Sequence, residues 1–257
     1  EFKPAIITGM AMAVFSETDR IFFSDGYRLA SHALLKGKSW NTLENMYSTL
    51  YEQTDLLTDS FIRRCRAEGK RVDCHRGCSW CCHQAIFVSA GEILFLENYL
   101  LKHTDGQTVR EVTGKTREKS RLTSKMNIRE VLRHSSPCPL LQENCCVVYP
   151  VRPLACRIYL SSSEPSCRRQ YRNPQNTGGF PELYAFPLRA GRMMHEGMNA
   201  RLREEGIINT EWLLESMLTD ILTNPAIKPA WISGKEVFYS PVLEEEERKL
   251  LNNRNHA

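Results

Sequence analysis

No stretch of this 257-residue chain reaches the roughly 18 consecutive apolar residues that a membrane-spanning helix needs. Ile6 to Phe15 is mildly apolar, but no basic segment and cleavage site accompany it, so it does not read as a leader peptide; the chain opens on Glu1 rather than Met, which limits the weight of that reading. There is no glycine-rich phosphate loop and no His-Glu-x-x-His pair, which removes two common nucleotide and zinc-protease signatures. Charge of one sign is not in excess. Lys and Arg number 34 against 30 Asp and Glu, and a net charge of +4 does not argue for nucleic acid. The one basic stretch, residues 102–133 with Lys115, Arg117, Lys119, Arg121, Lys125, Arg129 and Arg133, lacks the interleaved aromatics that stack bases. A solvated helix face or a connector is expected there, and a nucleic-acid partner is not. Internal repeats and low-complexity tracts are absent from the sequence.

What the chain has is cysteine. There are ten, and all but Cys65 lie between Cys74 and Cys167. A chain this long does not need disulfide staples, and the adjacent pairs Cys81-Cys82 and Cys145-Cys146 suit a disulfide framework poorly. A reducing, cytoplasmic setting is the expectation. The densest run is Cys-His-Arg-Gly-Cys-Ser-Trp-Cys-Cys, Cys74 to Cys82, with spacing C-x3-C-x2-C-C. A run this short can fold its thiols into one concave cup, and thiolate is a soft ligand suited to zinc, copper(I) or an iron–sulfur cluster. A second group follows at Cys138, Cys145, Cys146, Cys156 and Cys167, among Pro137, Pro139, Pro150, Pro153 and Pro165. Prolines remove backbone donors, so a rigid looped segment is expected, of the kind that wraps a metal. A closed zinc site takes four ligands, and a cubane cluster takes four thiolates. The two groups hold enough for two such sites with one thiol to spare, or for one cluster with free or redox-active thiols beside it. Arg71, Arg76, Arg152, Arg157, Arg168 and Arg169 are candidates to offset thiolate charge. His75 and His83 flank the cup and are expected beside the ligands rather than among them.

The remainder reads as helical scaffold. Residues 1–38 carry Phe15, Ile21, Phe22, Phe23, Tyr27 and Leu29, enough for a core edge and no chemistry. Leu43, Met46, Tyr47, Leu50, Thr54, Leu57 and Phe61 keep helical spacing over Asn41–Glu68, with Asn41 and Glu44 as a cap pair and Gly69 as a stop. Cys65 continues that stripe as a small buried hydrophobe. A short strand is expected over Ala85–Val88, a helix opened by Ser89 and Glu92 up to His103, and a linker over Asn173–Phe180. Further helices are expected over Leu188–Glu205 and Thr210–Thr223. Met193, Met194 and Met198 read as packing residues, Glu244–Glu247 as a solvated helix end, and Asp25, Glu44 and Glu92 as structural or exposed.

The order C-x3-C-x2-C-C, then Cys138-Pro139-Leu140-Leu141, then Cys146-x2-Tyr149-x2-Arg152-Pro153-x2-Cys156-Arg157, and a final Cys167, resembles the YkgJ-type cysteine-cluster family, described as a zinc- or iron-chelating domain. The resemblance covers about a third of the chain. Register with Tyr149 makes Cys146 the family cysteine and Cys145 an extra thiol, and Glu92 also resembles a family position. Flagellin lysine N-methylase, understood to carry an iron–sulfur cluster, has a similar cysteine motif, and that similarity does not extend to the flanking helices. A rival is the triad Cys74-x3-Cys78-x-Trp80-Cys81, which fits radical S-adenosylmethionine enzymes; those enzymes need repeated strand–helix units that are missing here, and Gly178-Gly179 lies too far downstream for their cofactor loop.

The expected fold is mainly α, a helical scaffold around a loop-rich, cysteine-ligated metal-binding core. Its parts are an N-terminal helical segment (1–69), a cysteine-cluster region (70–172) and a C-terminal helical segment (173–257). The expected metal ligands are Cys74, Cys78, Cys81, Cys82, Cys138, Cys146, Cys156 and Cys167, holding an iron–sulfur cluster or zinc. The alternative is an iron–sulfur-dependent modifying enzyme, methylase-like or an oxidoreductase, with a protein as partner or substrate.

Overall fold

Two glycines decide how the ends of the chain meet. In the computed structural model, which describes residues 16–175 and 180–238, helix α1 (Glu17–Leu34) packs along α8 (Ala185–Glu204). A Cβ on Gly26 would fall 1.8 Å from the carbonyl oxygen of Met194, and one on Gly197 would fall 1.9 Å from that of Phe23. Only glycine permits so close a backbone approach at both crossings. Helix α1 starts at a capping box: the Asp19 amide donates to Ser16 Oγ (3.2 Å) and the Ser16 amide to Asp19 Oδ2 (2.7 Å). Phe15 and the acidic stretch 244–247 lie outside the described residues, as do Gly178 and Gly179.

Helix α2 (Trp40–Ala67) is the long element expected from the apolar spacing, but its cap is Ser39, whose Oγ accepts from the Thr42 amide at 3.2 Å. Asn41 lies one position inside the helix. Glu44 instead accepts from Asn98 Nδ2 at 2.5 Å, tying α2 to α3 (Ala90–His103). Cys65 is 3 % exposed in the α2 stripe, and Met194 and Met198 are buried packing residues, as expected.

Strand β1 (Phe87–Ser89) starts two residues and ends one residue later than expected, and it pairs antiparallel with β4 (Glu211–Leu213), Val88 facing Trp212. The stretch expected to open a helix at Thr210 is therefore strand first, and α9 (Leu214–Thr223) begins at its end. The reason is non-local: Thr210 O accepts from the Ala90 amide (3.2 Å) and Ile86 O from the Leu214 amide (2.9 Å), a choice helical periodicity cannot see. The basic stretch is helical, α4 (Gly106–Thr123) and α5 (Ile128–Arg133), and α10 (Ile227–Ile232) follows α9. One apolar core takes in Ala30, Tyr47, Tyr51, Leu94, Val148, Ile158, Met198 and Trp231. No helix among the described residues is long and apolar enough to cross a membrane.

A charged node sits inside this core. Glu92 is 3 % exposed, and its Oε2 lies 3.7 Å from Nε2 of the buried His195. His195 Nδ1 lies 3.3 Å from Glu211, which also accepts from Arg192 at 2.7 Å. Burial pushes the Glu211 carboxyl up, but the Arg192 charge and the His195 hydrogen bond prevail and hold it down to about 2. Burial pushes His195 down, and its bond to Glu211 with the charges of Glu92 and Glu211 outweighs that, so its pKa is raised above 6.5. The Glu211 contribution is therefore complete above its ordinary pKa of 4.5 and fades as pH falls from there toward about 2. The His195 contribution is complete below 6.5 and fades as pH rises through the raised value. The node should stabilise the fold most between those limits, with roughly 3 kcal/mol lost on the acid side. Thermal unfolding against pH checks this: His195→Gln should flatten the alkaline limb relative to wild type and shrink the acid limb without abolishing it, because Arg192 still holds Glu211 down.

Candidate metal centre

The cup is built from turns. Gly77 takes φ +92°, a conformation that favours glycine, and the Cys78 amide closes the turn onto His75 O at 3.1 Å. A 3-10 turn, Trp80–His83, then places Cys81 and Cys82 side by side. Cys74 is anchored across the fold: its Sγ accepts from the Ser161 amide at 3.1 Å. Asp73 Oδ2 accepts from the Glu164 amide (2.9 Å) at the start of α7 (Glu164–Arg172), the helix that carries Cys167. Trp80 Nε1 donates to Glu164 at 3.0 Å and fixes the same helix from the other side.

The second group is shaped by a hairpin and a one-turn helix. Strands β2 (Leu141–Gln142) and β3 (Cys145–Cys146) pair with Leu141 opposite Cys146. The two residues between them, Glu143 and Asn144, have φ 46° and 61°, the positive values a tight two-residue hairpin turn demands. Cys156 lies in α6 (Leu154–Arg157). Cup and second group are joined through the backbone, the Cys138 amide donating to Cys82 O at 2.7 Å and the Ser136 amide to His83 O at 2.9 Å.

The thiols fall into two neighbourhoods. Burial raises Cys74 and Cys78, and both also feel the charge of Cys167. Burial pushes Cys138 up to about 12 and Cys146 up to about 11, and raises Cys156 further; these three also feel Cys82. Cys81 donates to Cys82, which raises Cys81 and lowers Cys82. Cys81 also senses Cys74 and Cys156, so the adjacent pair stands at the junction of the two sets. A cavity of about 1100 Å³ is lined by Cys74, Cys78, Cys81, Cys82, Cys138, Cys145, Cys146 and Cys156; Cys167 lies behind it, buried in α7. The thiols form a wall rather than closing on a point: among the described residues no three His, Cys, Asp or Glu side chains stand as a ready metal-binding group. All ten cysteines are free thiols. Soft donors brought from two distant segments onto one cavity fit a thiophilic metal or cluster, and loading it would release the protons these raised thiols hold.

Residues 73–177 match a family model, CxxCxxCC, described as "Putative zinc- or iron-chelating domain". This segment is similar to a CxxCxxCC domain. No curated protein and no solved structure matches the chain. The CxxCxxCC match takes in both cysteine groups and supports a metal partner.

Cations around the CxxCxxCC thiols divide by role. Arg152 lowers Cys146 and Cys156 electrostatically while it pairs with Asp55 (3.5 Å) and stacks on Tyr149 (4.2 Å). Arg157 is buried and structural, bonded to Asp55 and to the carbonyls of Pro150 and Arg152. Arg71 pairs with Asp73 and Arg169 with Glu182, while Arg76 lies 6.0 Å above the Tyr149 ring. His75 Nδ1 lies 2.8 Å from Asp73 O, and His83 packs its ring on Tyr171. Lys119 is the cation that sequence reasoning passed over as part of a solvated face. Its Nζ donates to Ser136 O (3.2 Å) and Pro137 O (3.3 Å), and its charge lowers Cys82 and Cys138. Helical spacing puts Lys119 on the same side as Lys115, whose Nζ reaches Leu141 O at 3.3 Å, but only the fold brings that side to the cysteine loop. The radical-enzyme triad has no parallel sheet behind it, since the strands of the described residues form two antiparallel pairs.

Proposed function

We propose that the chain is a metal-binding protein that holds iron–sulfur clusters through thiolates from its two cysteine groups. Cys74, Cys78, Cys81 and Cys167 supply one set of four, and Cys82, Cys138, Cys146 and Cys156 the other. The observation that carries the reading is the thiol-walled cavity of about 1100 Å³. A closed zinc site draws four sulfurs onto one ion at about 2.3 Å each, whereas these thiols are spread along one part of the cavity wall, which suits a multi-atom cluster. Cys145 also lines the cavity but is left outside both sets, because Cys146 is the one in register with Tyr149 and the one that senses Cys82. When bound, the clusters would supply electron transfer; the chain's own part is to hold the thiols, exclude water with the core behind them, and offset their charge with Arg152 and Lys119. Anaerobic purification followed by elemental analysis tests this. Iron and acid-labile sulfide with charge-transfer absorption near about 400 nm is the expected result. A colourless protein with stoichiometric zinc would replace clusters by structural zinc, and a metal-free folded protein would sink both.

A second reading has its own observation. The same cavity runs past the thiols to Arg192 and Glu211, which leaves room for a substrate beside the centre. A cluster-dependent modifying enzyme, methylase-like or an oxidoreductase, would use that room. A change in the cluster's absorption on adding a lysine-rich peptide would favour it.

A further inference from the structure

Glu92 lies outside both cysteine groups, on a helix that carries none of them. Yet its carboxylate is one of the points at which the cysteine loop joins the scaffold. Oε1 accepts from the backbone amide of Leu154 at 2.8 Å, the first residue of α6 and two residues before Cys156. The same oxygen accepts from Tyr51 Oη of α2 at 3.1 Å. Oε2 accepts from the Ser89 amide (3.0 Å) and Ser89 Oγ (2.9 Å). Glu92, Ser89 and Tyr51 are all at most 3 % exposed. A carboxylate buried this deeply costs free energy unless its lone pairs are filled, and here four donors from three segments fill them. The Leu154 amide is one of the orphan donors at a helix start, and α6 has no side-chain cap of its own. Glu92 therefore caps two helices, its own and, from 62 residues away, the turn that presents Cys156.

We propose that Glu92 is a positioning residue of the metal centre: it sets where Cys156 stands relative to Cys82, Cys138 and Cys146. The inference rests on the metal reading above. A shorter side chain at 92 would leave Leu154 without its acceptor. Gln, with one accepting oxygen where the carboxylate has two, would turn an NH2 group against either the Leu154 and Tyr51 donors or the two Ser89 donors. Either change lets α6 shift, so the fourth sulfur of that set would no longer meet the other three.

The test is cobalt(II) titration of the anaerobically purified full chain, because a thiolate-bound cobalt spectrum reports coordination geometry whatever the native metal is. Glu92→Gln should bind cobalt about ten- to a hundredfold more weakly, as loss of a partner behind the ligands usually does, with an altered visible spectrum. Ser89→Ala is the control: it removes a donor to the same carboxylate on the α3 side only. It should lower the melting temperature yet leave cobalt affinity and spectrum as in wild type. If Glu92→Gln does not fold, Tyr51→Phe removes one donor to Oε1 and should give the same spectral change with a smaller loss of affinity. Wild-type affinity and spectrum in Glu92→Gln, or in Tyr51→Phe where Glu92→Gln does not fold, would overturn the proposal, as would an equal loss in Ser89→Ala. Failure of the wild-type chain to bind cobalt would instead remove the metal reading itself.

Discussion

Replacing Cys82 with serine should strip the metal held by its own set of thiols and, with it, much of the resistance of the Cys138–Cys156 loop to unfolding. Cys82 is the thiol whose charge reaches Cys78, Cys81, Cys138, Cys146 and Cys156, and its carbonyl holds the Cys138 amide at 2.7 Å. A metal that binds only the folded chain stabilises it by mass action, about 4 kcal/mol when free metal stands a thousandfold above its dissociation constant. That amount should disappear from Cys82→Ser, and a chelator should then destabilise the variant by less than it destabilises wild type, through the remaining set alone. Two other substitutions separate ligation from packing. Cys65→Ser alters a buried thiol within the α2 stripe, so it should lower stability and leave metal content intact. Cys145→Ser should change neither. Metal analysis of the three variants together with denaturant titration decides the matter. Full metal content in Cys82→Ser would remove the assignment of that thiol.

Arg157 should be the most costly non-cysteine substitution in the region. Its side chain is fully buried, ion-paired to Asp55, donating to the carbonyls of Pro150 and Arg152, and lying 4.1 Å above the Tyr51 ring. Those partners clamp the proline-rich turn that leads into Cys156 onto α2. Removing one partner of a buried ion pair costs about 3–5 kcal/mol, and Arg157→Met should fall at the lower end, because Asp55 is 41 % exposed and water can reach it. Arg157→Lys should recover less than half: a point-like ammonium cannot serve three acceptors in different directions or stack flat on a ring. Equilibrium unfolding in urea measures both, and a loss below about 1 kcal/mol for Arg157→Met would show that the turn is held by something else.

Much of the scaffold was legible because helices announce themselves locally. The stripe from Leu43 to Cys65 and the Ser89–Glu92 pair gave α2 and α3 nearly whole. The failures share one cause. Helix α1 has a capping box, but its buried surface rests on Gly26 and Gly197, whose value exists only when two helices cross. Strand β4 was read as helix because Glu211–Leu213 become a strand only by pairing with Phe87–Ser89, more than a hundred residues away.

The same division runs through the site. The chemistry of the donors is a property of residue type, so ten cysteines with nine in one span were enough to name soft-metal binding before any fold was known. Which sulfurs become neighbours is a property of distance in space. The tertiary structure alone set Cys81 to donate to Cys82, put Cys167 in a helix behind the cavity, and brought Lys119 and Glu92 into hydrogen bonds with the backbone of the cysteine loops. Coulombic and hydrogen-bond energies depend on separations of a few ångströms, and spacing along a chain fixes those only within a turn or two.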